Sequence, residues 1–418
     1  MAVDRHVTTS GPTSLTEEAR LSGEFANWSN LIHGSAWLTG PLDVAAVCDA
    51  WRRVCLRHDA MRRGYVSPHE ARTHADVLSE VEVHTAGSDD EAVELMRRIL
   101  GVPFDLFGQG FARMVIVRRD EHRHLFGVVL DHIITDETSW AQVTGDFSEF
   151  YRRGGAALPE AGSYQAFASL QRRELAGAWG EQRREFWRAY TGEFGTFPPD
   201  FTPRVTTGGA PSYRVLEHDL PVDVQAMVKE FARRARATPF AVVTAGVLAA
   251  MRELSDDPAV GLMTENFGRV LPGTSRTVGL FVQSVPLHLT RQAADPAGIV
   301  EEVFLRGLDV FEHGIPLHVA GHRWNENFAS PDGKLGVHFQ LNDGRGVRRL
   351  TEVEGTRSDQ IVLDLPAGQP ETPDTILISG HLGERPRFVA TYNENAHSTA
   401  VVEQLLQFAA KFVSSGVR

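Results

Sequence analysis

The segment LDHIITDETSW, residues 130 to 140, ends an apolar run in a histidine and places an aspartate four residues later, where the pattern turns helical. An imidazole titrates near neutral pH and can move a proton at a nucleophile, which makes His132 a candidate general base or positioning group. Asp136 can cap the following helix or pair with an arginine, and either contact fixes the turn that carries the histidine. Arg113, on the preceding predicted strand, is the expected partner. So short a pattern also arises by chance, and a histidine here equally suits a satisfied core position, so the surrounding elements must decide.

Two other groupings offer less chemistry. His318 and His322 in PLHVAGHRW have i,i+4 spacing, but no glutamate follows the first histidine and no third ligand is evident, so no metal site is expected. The glycines of TVGLFVQSVPL and ENFGRVLPG are not followed by a lysine and a helix start, so they form no phosphate loop. Cys48 and Cys55 are seven residues apart on one predicted helix and share a face, which points to packing rather than to a disulfide or zinc.

The elements that must position His132 are legible in the hydrophobic pattern. Strand alternation along HLFGVVLDH sets Phe126, Val128, Leu130 and His132 on one face and Leu125, Gly127, Val129 and Asp131 on the other. His132 therefore ends an apolar face, and Asp131 points away from it. ARMVIVRR reads as the neighbouring strand and SWAQVTGDFSEFYRRGG as the helix that follows the motif. GPLDVAAVCDAWRRVCLRHDAM carries Val44, Val47, Cys48, Trp51, Val54 and Cys55 at amphipathic helix spacing. FGTFPPDFTPRVTTGGAPS, rich in proline and glycine, reads as a linker. Beyond it the alternation of helices and strands repeats, with strands at AVGLMTE, SVPLHLT, LGVHFQLND, TILISGHL and RFVATYN.

Length and composition bound the rest. A chain of 418 residues exceeds one ordinary core and implies two domains or two similar halves. The formal charge of −12 argues against general nucleic-acid binding, which needs a surplus of lysine and arginine on one face. The arginine-rich stretches RRVCLRHDAMRR and QRRELAGAWGEQRREFW read first as solvated helix faces and second as docking points for an acidic partner. No secretion signal and no run of 18 apolar residues appears, so a soluble cytoplasmic protein without a membrane partner is expected.

An ordered series of segments resembles the condensation-domain family of nonribosomal peptide synthesis, which is related to chloramphenicol acetyltransferase. GPLDVAAVCDAWRRVCLRHDAMR is similar to the family's early helix ending in RHxxLR. VPFDLFGQGFARMVIVRRDEHRHLFGVVLDHIITDETSW resembles its PFDL segment, arginine strand and HHxxxDG motif. VGLFVQSVPLHL looks like GxFVNTxPLR, FEHGIPLHVA like HQxxPF, and VATYNENAHS like the late YNxxLF stretch.

The resemblance implies an α/β fold of the α+β type: two acetyltransferase-like lobes in a V, residues 1–178 and 179–418, dividing near residues 175 to 215, with a tunnel between them. It places the second motif histidine on His132, the aspartate on Asp136 and the supporting arginine on Arg113, and it puts Asp131, Glu137, Ser139, Gln283 and Ser284 along the motif or the tunnel. The implied activity is acyl or peptidyl transfer from a carrier protein's 4′-phosphopantetheine thioester to an amine or hydroxyl. No metal or nucleotide is needed. With no adenylation or carrier segment in the chain, a free-standing enzyme is implied, with an acyl or peptidyl carrier protein in trans and a small-molecule or carrier-bound acceptor. Asp131 replaces the first histidine, which the family uses mainly for structure; Glu137 replaces the motif glycine, where it either obstructs or selects the acceptor; Gln283 replaces an asparagine. A catalytically silent module that recruits another pathway enzyme, and an enzyme of this fold performing cyclisation or dehydration, stand as alternatives.

Overall fold

The computed structural model describes residues 7–22, 31–153, 155, 158–194, 210–255, 259–290, 295–316, 336–342, 353–363, 365 and 375–415. In chain order its elements are β1 (Val7–Pro12), α1 (Leu15–Leu21), β2 (Leu31–Thr39), α2 (Val44–Arg57), β3 (Arg63–Ser67), β4 (Glu70–His74), β5 (Val81–Thr85), α3 (Asp89–Leu100), β6 (Ala112–Arg118), β7 (Arg123–Asp131), α4 (Glu137–Arg153), α5 (Tyr164–Leu175) and α6 (Ala178–Phe194). There follow β8 (Tyr213–Asp219), α7 (Val224–Arg234), α8 (Pro239–Leu254), β9 (Ala259–Asn266), β10 (Gln283–Thr290), α9 (Pro296–Glu312), β11 (Val337–Asn342), β12 (Arg357–Ile361), β13 (Ile376–His381), β14 (Arg387–Asn393) and α10 (Thr399–Ser415).

Among the described residues the strands form a five-stranded sheet, β12-β2-β7-β6-β5, a six-stranded sheet, β10-β9-β11-β13-β14-β8, and a small β1-β4-β3 sheet. Helix starts follow local chemistry. Asp43 accepts from Ala46 N at 3.0 Å to open α2, Ser88 accepts from Glu91 N at 3.1 Å to open α3, and Pro239 and Pro296 stand in the first turns of α8 and α9, where a missing N–H costs nothing.

Strand β7 is buried on both faces, as its nearly unbroken apolar run demands. Phe126, Val128 and Leu130 join Trp51 and Val54 of α2 and Trp140, Val143 and Phe147 of α4. Leu125 and Val129 join Met96 and Leu100 of α3. Alternation along the strand is as the sequence predicts. In the second sheet one face, including Leu262, Val285, Leu287, Phe339 and Ile378, shares a core with apolar residues of α7, α8, α9 and α10. The opposite face at the β9, β10 and β11 end carries polar groups instead.

The halves interlock. Leu271, Val278, Phe281 and Val353 from the second half lie in the core of the first, and β12 pairs antiparallel with β2. No single helix among the described residues is long and apolar enough to cross a membrane; the pair α7 and α8 is apolar enough in sum but bends by 101°, and its buried residues belong to the second core.

Candidate active site

Strand β7 stops at Asp131, and the chain turns at once into a short 3-10 helix, His132–Ile134. The Asp131 carboxylate builds that turn by accepting from Ile133 N at 2.8 Å and from Arg20 Nη2 of α1 at 2.6 Å. Both side chains are buried, so the pair is a fixed strut rather than a surface ion pair. His132 itself is only partly buried. Its position follows from the turn rather than from strand alternation, because β7 ends one residue earlier.

Asp136 opens α4: one carboxylate oxygen accepts from Ser139 N at 2.7 Å. The partner arginine is Arg269, from the second half, and not Arg113 as the sequence suggests. Arg269 Nη2 donates to Asp136 Oδ1 at 3.0 Å and to Ser139 Oγ at 2.8 Å, while Phe281 N donates to Asp136 Oδ2 at 3.2 Å. The guanidinium also lies 3.9 Å from the centre of the Phe281 ring. Arg113 instead donates to Val102 O at 2.5 Å and packs 3.9 Å from the Phe104 ring, bracing the PFDL segment. Gly268 makes the Arg269 contact possible. It has φ +63°, and a Cβ there would stand 1.9 Å from Phe281 O.

Across from this turn, β9 ends in Glu265 and Asn266. Glu265 Oε1 accepts from His338 Nε2 at 2.9 Å and from Gln340 Nε2 at 3.3 Å, both on β11. Ser284 is its register partner on β10. Burial raises the Glu265 pKa, but the hydrogen bond and charge of His338, the charge of His132 and the Gln340 hydrogen bond together outweigh it and hold the carboxyl below its ordinary value. The side chain keeps a quarter of its surface exposed. A half-sheltered imidazole on one half of the chain thus lies within electrostatic reach of an ionised carboxylate on the other.

A family model for the condensation domain matches residues 31–318, more than half of the chain. The chain belongs to the condensation-domain family. Surfactin synthase subunit 2 of Bacillus subtilis (strain 168) is 26% identical over 298 residues, which cover 69% of this chain and 8% of that protein. The chain therefore spans a small part of the large synthetases it matches. Among solved structures, the condensation domain from the monacolin K polyketide synthase superposes with TM-score 0.79 at 16% identity, over 98% of this chain and 99% of that one. The X-domain from teicoplanin biosynthesis does so with TM-score 0.77 at 17% identity, over 100% and 98%. At those identities the structural likeness shows the two-lobed fold alone.

In this condensation domain the turn that carries His132 is held from both sides. Asp131 is occupied by Arg20 and the turn it caps. Ser139 is fully buried and tied to Gly279, donating to its carbonyl at 2.8 Å and accepting from its N–H at 3.1 Å, so it joins the halves rather than lining a passage. Glu137 is partly exposed on the first turn of α4. Gln283 and Ser284 begin β10 and are largely buried, opposite Asn266 and Glu265. His318 and His322 lie outside the described residues, and no cluster of metal-ligating side chains occurs among the described ones.

Glu265 and Arg269 escaped the sequence reading, though a signal was present. TEN closes an apolar strand with a charged residue just as DH closes HLFGVVL, and an arginine follows a glycine where a chain reversal is expected.

Proposed function

We propose that this condensation domain transfers an acyl or peptidyl group from a carrier-borne phosphopantetheine thioester to an amine or hydroxyl acceptor, with His132 as the base or positioning group. The observation that carries the reading is the turn itself: Arg20 and Arg269, from different halves, fix the aspartates on either side of His132, and that residue is only partly buried. Such over-determination suits an imidazole that must meet an acceptor and a thioester carbonyl in one geometry. A carrier protein is the expected partner, and the acyl group arrives on its prosthetic arm.

The test is reconstitution with an acyl-loaded carrier protein and a panel of nucleophiles, following product by mass spectrometry. His132→Ala should lower turnover by about 10² to 10⁴ while the thermal midpoint changes little. Asp131→Ala should act mainly on stability, since it strands a buried arginine rather than a reacting group. Full activity in His132→Ala removes the histidine from the chemistry. A wild-type protein that turns over no loaded carrier but binds another pathway enzyme tightly belongs to the recruiting class instead.

A further inference from the structure

The polar end of the second sheet is built, not incidental. Glu265, His338 and Gln340 project from the face opposite the helical core, and Ser284 stands beside Glu265 in register. Position relative to the motif is pinned by the Arg269–Asp136 pair at 3.0 Å: Glu265 precedes Arg269 by four residues, as His132 precedes Asp136. The carboxylate and the imidazole are thus each one short turn from the same contact between the halves. In a sheet face otherwise able to be apolar, a carboxylate given two donors and left a quarter exposed is prepared for a further partner.

We infer that Glu265, oriented by His338 and Gln340, is the acceptor-selecting residue, receiving the ammonium group of a cationic amine and delivering that nitrogen to His132. The inference rests on the acyl-transfer reading and narrows it to amide formation.

The chemistry is consistent with a carboxylate that stays ionised. The bound ammonium first releases one proton to solvent. The neutral amine then attacks the thioester carbonyl; the C–N bond forms, the C–S bond breaks, and the second nitrogen proton passes through His132 to the departing thiolate. The sum is thioester plus ammonium giving amide, thiol and one proton. During attack the nitrogen becomes positive, and a fixed negative charge beside it stabilises that charge more than it helps a neutral alcohol. The same charge disfavours acceptors that carry their own carboxylate next to the nucleophile.

The experiment measures binding separately from turnover, by calorimetry on the full chain. The probes are three amines (phenylalaninamide, tyramine and glucosamine) and their hydroxyl counterparts (phenyllactamide, tyrosol and glucose). Wild type should bind at least one amine about tenfold or more tightly than its counterpart, equivalent to about 1.4 kcal/mol. Glu265→Gln should erase that preference, and Glu265→Asp, which keeps the charge but withdraws it, should fall between. In the reconstituted assay Glu265→Gln should raise KM for the amine more than it lowers kcat. Equal wild-type affinity for every pair, or no amine binding, overturns the inference whatever the variants do. So does exchange of the donor's α-hydrogen with deuterated solvent that is lost in both His132→Ala and Glu265→Gln, because the carboxylate is then a second base. Amine preference that depends on Glu265, in a protein that transfers no acyl group, leaves the recognition site standing and removes the transfer reading.

Discussion

At the scale of single residues, Asp131 shows how a buried charge fixes the partner it needs. A carboxylate at the end of a buried strand needs a counter-charge, and Arg20 reaches it from α1 at 2.6 Å. Glu265 poses the opposite problem, since its partners are titratable or neutral and its ionisation is tied to pH. Its folded pKa lies below its ordinary value of 4.5, with burial opposing the shift and His338, His132 and Gln340 driving it. A depressed carboxyl contributes stability that is fully present above the ordinary value and is lost as pH falls through the lowered one. Urea midpoints measured from neutral pH downward should therefore fall more steeply for wild type than for Glu265→Gln below about pH 4.5, and parallel curves would show that His338 contributes no net attraction. Sequence alone reveals neither Arg20 nor His338 as partners, because they stand 111 and 73 residues from the groups they meet.

At the scale of elements, the strongly periodic segments were readable and the polar edges were not. The period-two pattern of β7 and the helical spacing of α2 follow from burial on defined faces, and both elements stand where the pattern puts them. Strand β12, with the sequence RSDQI, is an edge strand whose side chains alternate only weakly between partly buried and exposed, so it lacks the apolar rhythm that betrays a central strand. Turns are legible when a glycine is forced. Gly268 lies in the left-handed region and against the carbonyl of Phe281, so Gly268→Ala meets both a strained φ and a backbone clash. The turn must open and carry Arg269 away from Asp136. We expect a loss of about 1 to 3 kcal/mol together with a fall in turnover larger than for an alanine substitution on an exposed helix face. Chemical denaturation and the reconstituted assay measure the two effects, and unchanged turnover would show that the turn does not hold the site.

At the scale of the whole molecule, the candidate site draws its residues from both halves. His132 and Asp136 come from the first half, Glu265, Arg269 and His338 from the second, and Leu271, Val278 and Phe281 anchor the intervening loop in the first half's core. The linker and the repeated alternation of elements suggest two halves, but periodicity carries no information on which charged groups meet between them. The Asp136–Arg269 pair is the test of that coupling. Both side chains are nearly buried, and Asp136 also accepts from Ser139 N and Phe281 N, so removing one partner leaves a buried charge without compensation. Asp136→Asn and Arg269→Gln should each cost about 3 to 5 kcal/mol, and the double variant should cost less than their sum by about 0.5 to 3 kcal/mol. Each single variant should lower turnover, since each releases the turn under His132 or the strand end under Glu265. Additive losses in urea denaturation would mean that the two groups act independently, and the contact between the halves would then rest on the apolar anchor at Leu271, Val278 and Phe281.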